Sequence, residues 1–471
     1  MGSNLTAMVA LLSFVAVAPA LFCVLPPRRA VIAGFIIAWL FLPVAGLELR
    51  GLPDISKTYI ATFGVMLGVC IFDPGRLLTF RPRWFDLPML VWCTVPMASA
   101  LSSGSGAYDG LSAVLKQSMQ WGLPYFLGRI YFSDLAAMRD LAMAVVIGAL
   151  LYVPFCLWEV RMSPNLHHYL YGYHPHSFAQ HIRQSGYRPM VFMQHGLMVA
   201  MWMTWGTVCA MWLWRSGAVQ RLWAMPLGLL VGVLFVTSVL CKSVGPLMLM
   251  LIGMGLFFWV RRVRMRWALW VVVAMVPLYI TARATGAWSG ESAVRLAESM
   301  AGPERARSLK GRLTNETLLV ERALEAPIFG WGSGDGWRVK DKSGRDITTS
   351  DGLWVIALGQ HGLVGLVAVT SATLLPLVLL LRRFPLASWI DPRIAPLAVL
   401  ALLLGLWAVD NLLNAMIHPV YVVALGGVGT VLSVVRVEMT AAAAAAAPAP
   451  GSRQPPAART QPRGRLLTAP R

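Results

Sequence analysis

Apolar runs of roughly 18–22 residues recur from the first residues to beyond position 430, separated by short breaks rich in charge, proline and glycine. That length carries a helix across about 30 Å of hydrocarbon. The period-two alternation of a membrane barrel is missing, so the backbone can satisfy itself only as helices. The pattern predicts an all-α polytopic membrane protein with about 12–13 transmembrane helices, occupying residues 1–439. The spans fall at roughly 5–25, 30–48, 57–73, 87–103, 110–128, 137–158, 190–213, 222–240, 244–260, 267–284, 352–381, 396–413 and 417–436. Lys116, Gln117 and Gln120 interrupt the fifth. Two long polar intervals remain, 159–189 and 285–351, and the stretch 440–471, rich in Ala, Pro, Ser, Gln and Arg, reads as a disordered tail.

Composition supports this class. The 471 residues are 57% hydrophobic and only 13% charged, outside the range of soluble domains. No Lys or Arg precedes the first apolar run, so residues 5–25 read as a retained helix and not as a cleaved leader. The six cysteines lie in or beside apolar runs without metal-ligand or disulfide spacing and read as small buried hydrophobes. The formal charge of +19 is clustered in every second loop, from Arg28-Arg29 to Arg382-Arg383 and the tail. The positive-inside rule makes all of these cytoplasmic at once, with the N-terminus outside. The excess therefore reports topology and contact with anionic lipid, and nucleic acid is not needed to explain it.

The interval 285–351 would then be extracytoplasmic. It holds ten acids against ten Lys/Arg, a balanced loop in an otherwise apolar chain. From Gly311, apolar residues at 313, 318–320 and 323–324 predict a short amphipathic helix lying along the membrane, stopped by Pro327. Arg312 would begin that helix, where a guanidinium beside free N–H groups suits a phosphate, although composition alone favours a solvated surface arginine. Gly330 and Gly332 follow, able to take positive φ or to let another group approach the backbone. In 159–189, five histidines (167, 168, 174, 176 and 181) interleave with Tyr169, Tyr171 and Tyr173. Metal binding, a sugar-facing lining and an ordinary loop all remain open, with no firm ligand spacing for a metal. Arg188 and His195 lie at the mouth of the next helix and Lys242 stands alone between two apolar runs, places where ionisable groups are costly unless partnered or functional. Asp410, Asn411, Asn414 and His418 form a further polar group, read equally as helix packing or as chemistry.

Several of these residues occur in one recognisable order. Arg312, then Pro327-Ile-Phe-Gly330-Trp-Gly332-Ser-Gly334, then Asp351-Gly352 with Gly362 and Gly365 ten and thirteen residues on, resembles the signature of the bacterial O-antigen ligase and polysaccharide polymerase (Wzy-type) superfamily. Tyr187-Arg188-Pro189 resembles that family's arginine before a helix, and Cys241-Lys242-Ser243, more loosely, its basic turn. The resemblance spans about 185 to 375. It implies a multi-pass protein of the bacterial cytoplasmic (inner) membrane with its active loop outside. The implied activity is that of an inverting glycosyltransferase without metal or cofactor. Its donor would be a glycan on undecaprenyl diphosphate, its acceptor a glycan or lipid hydroxyl, and its partners membrane lipids and other polysaccharide-assembly proteins. Arg188 and Arg312 would neutralise the diphosphate, Asp351 would orient or deprotonate the acceptor, and His195, Lys242, Gly330 and Gly332 would be secondary. Two positions depart from the pattern: Asp351 stands where the family has histidine, and Lys242 where it has arginine. An aspartate with an ordinary pKa near 4 is a weak base unless burial raises it.

A polymerase and an O-antigen ligase share this chemistry and differ in acceptor. The charge-balanced loop favours a polymerase of O-antigen or exopolysaccharide over a ligase. Two other classes compete. A transporter or flippase of lipid-linked sugars predicts ionisable residues along a buried path. A non-catalytic envelope-assembly scaffold predicts that Asp351 marks a lost base.

Overall fold

In a computed structural model, the described residues are 4–47, 55–183, 186–349 and 351–446. The chain runs through α1 (Leu5–Val24), α2 (Pro27–Phe41), α3 (Lys57–Phe72), the single turn α4 (Pro74–Leu77) and α5 (Leu87–Ser102). There follow α6 (Ala107–Gln117), α7 (Leu123–Tyr131), α8 (Leu135–Met162), α9 (Leu166–Tyr171), α10 (Gly196–Arg215), α11 (Leu227–Leu240), α12 (Val244–Arg262) and α13 (Trp267–Ala284). The last are α14 (Glu291–Ala301), α15 (Pro303–Ala323), α16 (Leu353–Arg383), α17 (Ala395–Asp410) and α18 (Pro419–Ala446). Each expected span overlaps a helix, but α2 ends at Phe41, short of the expected 48, and α10 begins at Gly196 and not at 190. Among the described residues, seven helices are long and apolar enough to cross a membrane: α1, α5 with its lead-in turn, α8, α10, α12, α13 and α16. The helices α3, α11, α17 and residues 419–433 are apolar but shorter.

At the centre stand α10 and α17, buried on nearly every side. Close approach of neighbouring helices is set by small residues. A Cβ on Gly128 of α7 would lie 2.1 Å from the Val423 carbonyl oxygen of α18, and one on Gly426 would lie 2.1 Å from the Tyr125 carbonyl oxygen. The interrupted fifth span is a broken helix, since a π turn at Ser118–Gly122 separates α6 from α7 and the Thr62 hydroxyl donates to the Met119 carbonyl inside it at 2.9 Å. Such turns leave irregular backbone that a neighbour must satisfy. Arg129, one of the basic residues between the fifth and sixth expected spans, is buried: its Nε donates to Asp86 Oδ1 at 2.7 Å, and Tyr125 donates to the same oxygen at 2.7 Å.

Three expectations change. The loop helix does not begin at Gly311: α15 starts at Pro303, a residue suited to a first helical position, behind Gly302 at φ +85°. Arg312 therefore sits in mid-helix, away from any free N-terminal N–H groups. The first polar interval begins later than 159, because α8 continues through Met162. Helix α18 runs to Ala446, seven residues into the stretch expected to be disordered, while 447–471 lie outside the described residues.

Helix α16 is broken at Gly362, whose φ is +61° and ψ −160°. The backbone groups freed there are taken up by the loop segment 327–332. Trp331 N–H donates to Gly359 at 2.9 Å and Gly332 N–H to Gln360 at 3.0 Å, while Leu363 N–H donates to Pro327 at 2.7 Å. The seam is backbone against backbone. A Cβ on Gly330 would lie 2.5 Å from the Gln360 carbonyl carbon, and one on Gly362 would lie 2.3 Å from the Ile328 oxygen. Just beyond the break, Leu363, Val364, Val367, Ala368 and Ser371 face Leu87, Pro88 and Val91 of α5 across an apolar groove of about 460 Å³.

Candidate functional site

The polar side chains singled out above gather at one end of the bundle, where α10 and α16 begin and α13 and α17 end. Arg312 projects from α15 toward the head of α16. Its Nε lies 3.3 Å from Asp351 Oδ2, and its Nη1 donates to the Leu413 carbonyl at 3.1 Å and to Asn414 Oδ1 at 3.2 Å. Asn414 in turn donates to Asp410 at 2.8 Å. Gly352 and Leu353 seal the other side: Leu353 N–H donates to the Asn411 carbonyl at 2.9 Å, and a Cβ on Gly352 would sit 2.5 Å from the Leu412 oxygen. The polar group at 410–414 thus holds the arginine and the aspartate together. Its residue types signalled a polar cluster, but only the fold shows what it serves.

Helix α15 is pinned by a second pair one turn from Arg312. Arg283, at the end of α13, donates through Nε to Glu316 at 3.1 Å and through Nη2 to the Leu313 carbonyl and to Thr317. Tyr279 also donates to Glu316, at 2.9 Å. Both charges are buried and multiply bonded, the condition under which a buried ion pair holds geometry. Arg283 and Glu316 went unmarked in the sequence. Their signal was an arginine closing an apolar span and a glutamate four residues from Arg312, on the same helix face.

Arg188 follows a hairpin of Ile182–Arg183 against Gly186–Tyr187 and is 3% exposed. Its stem crosses Gly196, where a Cβ would meet Arg188 Cδ at 2.4 Å. His195 caps α10, its Nδ1 accepting from Leu197 N–H at 3.0 Å, and its ring stands edge-on to His176 at 5.5 Å. Burial, then the charges of Arg188, His176, His181 and Arg312, hold His195 down to about 3. Burial and Arg188 likewise hold His181 down to about 4. Arg188 and Arg312, from separate loops, both contribute to the lowering at His195. Arg183 adds an ion pair to Glu304 of α15 at 3.4 Å, joining the two loops. Lys242 has φ +50° in the turn between α11 and α12. Its Nζ lies against the hairpin, 3.5 Å from the Arg183 oxygen, in space that a side chain at Gly186 would occupy.

Gly330 and Gly332 take positive φ, +69° and +80°, and another group does approach their backbone: Gly330 receives the Gln360–His361 backbone, and Gly332 faces Ser103 at 3.0 Å. Three of the ring side chains in the His/Tyr-rich loop are fasteners. His167 Nε2 accepts from Val44 N–H at 3.2 Å, Tyr171 donates to the Phe41 carbonyl at 2.7 Å, and Tyr173 to that of Val44 at 2.9 Å. Tyr169 alone of the three tyrosines is well exposed. Among the described residues, no three His, Cys, Asp or Glu side chains stand together as ligands for a metal ion.

Asp351 is partly buried, and burial raises its carboxyl above the usual value while Arg312 pulls it back. The arrangement sets the Arg312 guanidinium beside a carboxylate of raised proton affinity. No protein-family model matches the chain, and no curated protein matches it.

Proposed function

We propose that this protein is a membrane glycosyltransferase. It moves a glycan from a polyprenyl diphosphate to an acceptor hydroxyl on the outer face of the bacterial cytoplasmic membrane, as a polysaccharide polymerase or ligase with twelve or thirteen crossings. One observation carries the reading: Arg312 and Asp351, 39 residues apart in sequence, form an ion pair at 3.3 Å, with Arg188 close enough to share influence over His195. Diphosphate is the anion that two guanidinium groups at a membrane surface suit best.

In the step we envisage, the acceptor oxygen attacks the anomeric carbon as the bond from that carbon to the diphosphate oxygen breaks. The acceptor proton passes to Asp351, and the negative charge of the leaving group falls between Arg188 and Arg312. The diphosphate competes with Asp351 for Arg312. Once the arginine turns to the donor, the carboxylate loses the partner that lowered its proton affinity and becomes a stronger base. Base strength thus follows donor binding. A transporter gains less support, since the buried charged residues lie near helix ends and the groove beside α16 is apolar.

The test is the surface-glycan profile of a deletion strain complemented with wild type or variants. Single lipid-linked repeats without long polymer mean polymerase, and polymer stranded on the lipid carrier means ligase. Unchanged glycan in the deletion strain would sink both. The pH dependence follows from Asp351. Its carboxyl must be ionised to accept a proton, so the rate falls as pH drops through its raised pKa. The acid limb should lie above the ordinary carboxylate value of about 4. Initial rates from pH 4 to 8 check this: Asp351→Glu should retain a limb, Asp351→Asn should lose turnover, and a flat profile would exclude Asp351 as the base.

A further inference from the structure

Two charged side chains lie inside the bundle beneath the site, neither paired to an opposite charge among the interactions described: Glu159 is 0% exposed and Lys57 2%. Both bind backbone. Glu159, near the end of α8, accepts through Oε2 from the N–H groups of Met190 and Val191, each at 2.7 Å, and through Oε1 from Leu166 N–H at 3.0 Å. Lys57, at the start of α3, donates to the carbonyls of Phe192 at 2.9 Å and Leu42 at 2.6 Å. The Tyr152 hydroxyl, on α8, accepts from Phe192 N–H at 3.1 Å. Between them, three side chains satisfy four backbone groups of the turn 190–192, and Val191 is held there at φ +52°.

A turn in apolar surroundings must find such partners. It did not need charged ones: hydroxyls or amides would serve. A carboxyl group with two oxygens and an amino group with several N–H bonds can each hold two segments at once, and here they tie the turn to Leu166 and to Leu42. What that turn carries is Arg188 on one side and His195 on the other.

We propose that Glu159 and Lys57 are positioning residues that fix the turn 190–192 and so aim Arg188 and His195 at the donor's diphosphate. This rests on the reading of the site as a diphosphate site. Neither residue touches substrate. Each acts through the backbone of the turn, and Tyr152 assists through a single neutral bond.

The experiment uses the full chain purified in detergent, with undecaprenyl diphosphate as the probe and tryptophan fluorescence as the readout. Glu159→Gln turns an amide N–H toward backbone N–H groups, and Lys57→Met removes the donor. Each should weaken binding about ten- to a hundredfold, the scale of one or two charge-assisted bonds. Tyr152→Phe should weaken it only about two- to fivefold. Added to Arg188→Ala, Glu159→Gln should cost less than it does in the wild type, because the aim of Arg188 has already been lost and only that of His195 remains. Asp86→Asn, at the opposite end of the bundle, should lower the melting temperature and leave the affinity of the folded protein unchanged. Wild-type affinity in Glu159→Gln, or effects of Glu159→Gln and Arg188→Ala that simply add, would overturn the positioning role. If Glu159→Gln gives no folded protein, Tyr152→Phe decides, and unchanged affinity in that variant overturns the proposal. Failure of the wild type itself to bind the probe would overturn the diphosphate reading beneath it.

Discussion

Arg312→Ala should cut glycan transfer by about a hundred- to a thousandfold, the loss that follows removal of one preorganised donor from developing charge. The side chain makes three contacts at once, to Asp351, the Leu413 carbonyl and Asn414. A planar fork meets such a set and a single ammonium does not, so Arg312→Lys should recover only a small part of the activity. Folding should survive, because α15 remains held by Arg283 and Glu316. The measurement is the ratio of lipid-linked intermediate to finished polymer in the complemented deletion strain, with protein level in the membrane measured beside it. Full polymer from Arg312→Ala would remove the diphosphate site, and with it the proposed chemistry.

Gly362→Val should be more damaging still, and for a different reason. The new Cβ would stand 2.3 Å from the Ile328 carbonyl oxygen and 2.4 Å from its carbon, at a φ of +61°. A β-branched residue resists that conformation, and the atom in the way is backbone, which cannot swing aside. Strain and collision together should cost about 3–5 kcal/mol, enough to open the seam or unfold the protein. Gly255→Ala is the control, since nothing lies within 4 Å of its added Cβ and alanine favours helix. Thermal unfolding in detergent should show Gly362→Val collapsed or absent and Gly255→Ala at or above wild type. A wild-type melting curve for Gly362→Val would mean that the break in α16 is not as tightly sealed as it is drawn here.

The helices were legible in the sequence because hydrocarbon thickness imposes one length on every crossing, and the weak fifth span, marked by Lys116, Gln117 and Gln120, is the one interrupted by a π turn among the described residues. The site was legible by residue type and not by arrangement. Arg188 was readable as a charge placed where charges are costly, Arg312 and Asp351 through the order of the motif, and the structure brings the last two into direct contact. The glycines of that motif were readable as places of positive φ or close approach, but not the partner: at 330, 352 and 362 they are needed where backbone meets backbone, in an internal seam. Helix α14 escaped although Ala293, Val294 and Ala297 recur at helical spacing, the first half of α15 because few of its residues are apolar, and Gly302-Pro303, a helix start, resembles an ordinary loop signal. The buried Glu159 and Lys57 escaped because each stands at the border of an apolar run, where a charge draws no notice until the turn it binds is known.

The seam also fixes an order of events during synthesis. Residues 327–332 leave the ribosome before Gly359, Gln360 and Leu363, the partners that complete their backbone hydrogen bonds. Until α16 has been made and has entered the membrane, the loop that follows α15 has nothing to close against, and Arg312 has neither Asp351 nor Asn414 beside it. Asn414 is later still, beyond α17. The site is therefore among the last parts of the molecule to be assembled, and a chain halted before its final two helices carries the pieces of the chemistry without the means to hold them together.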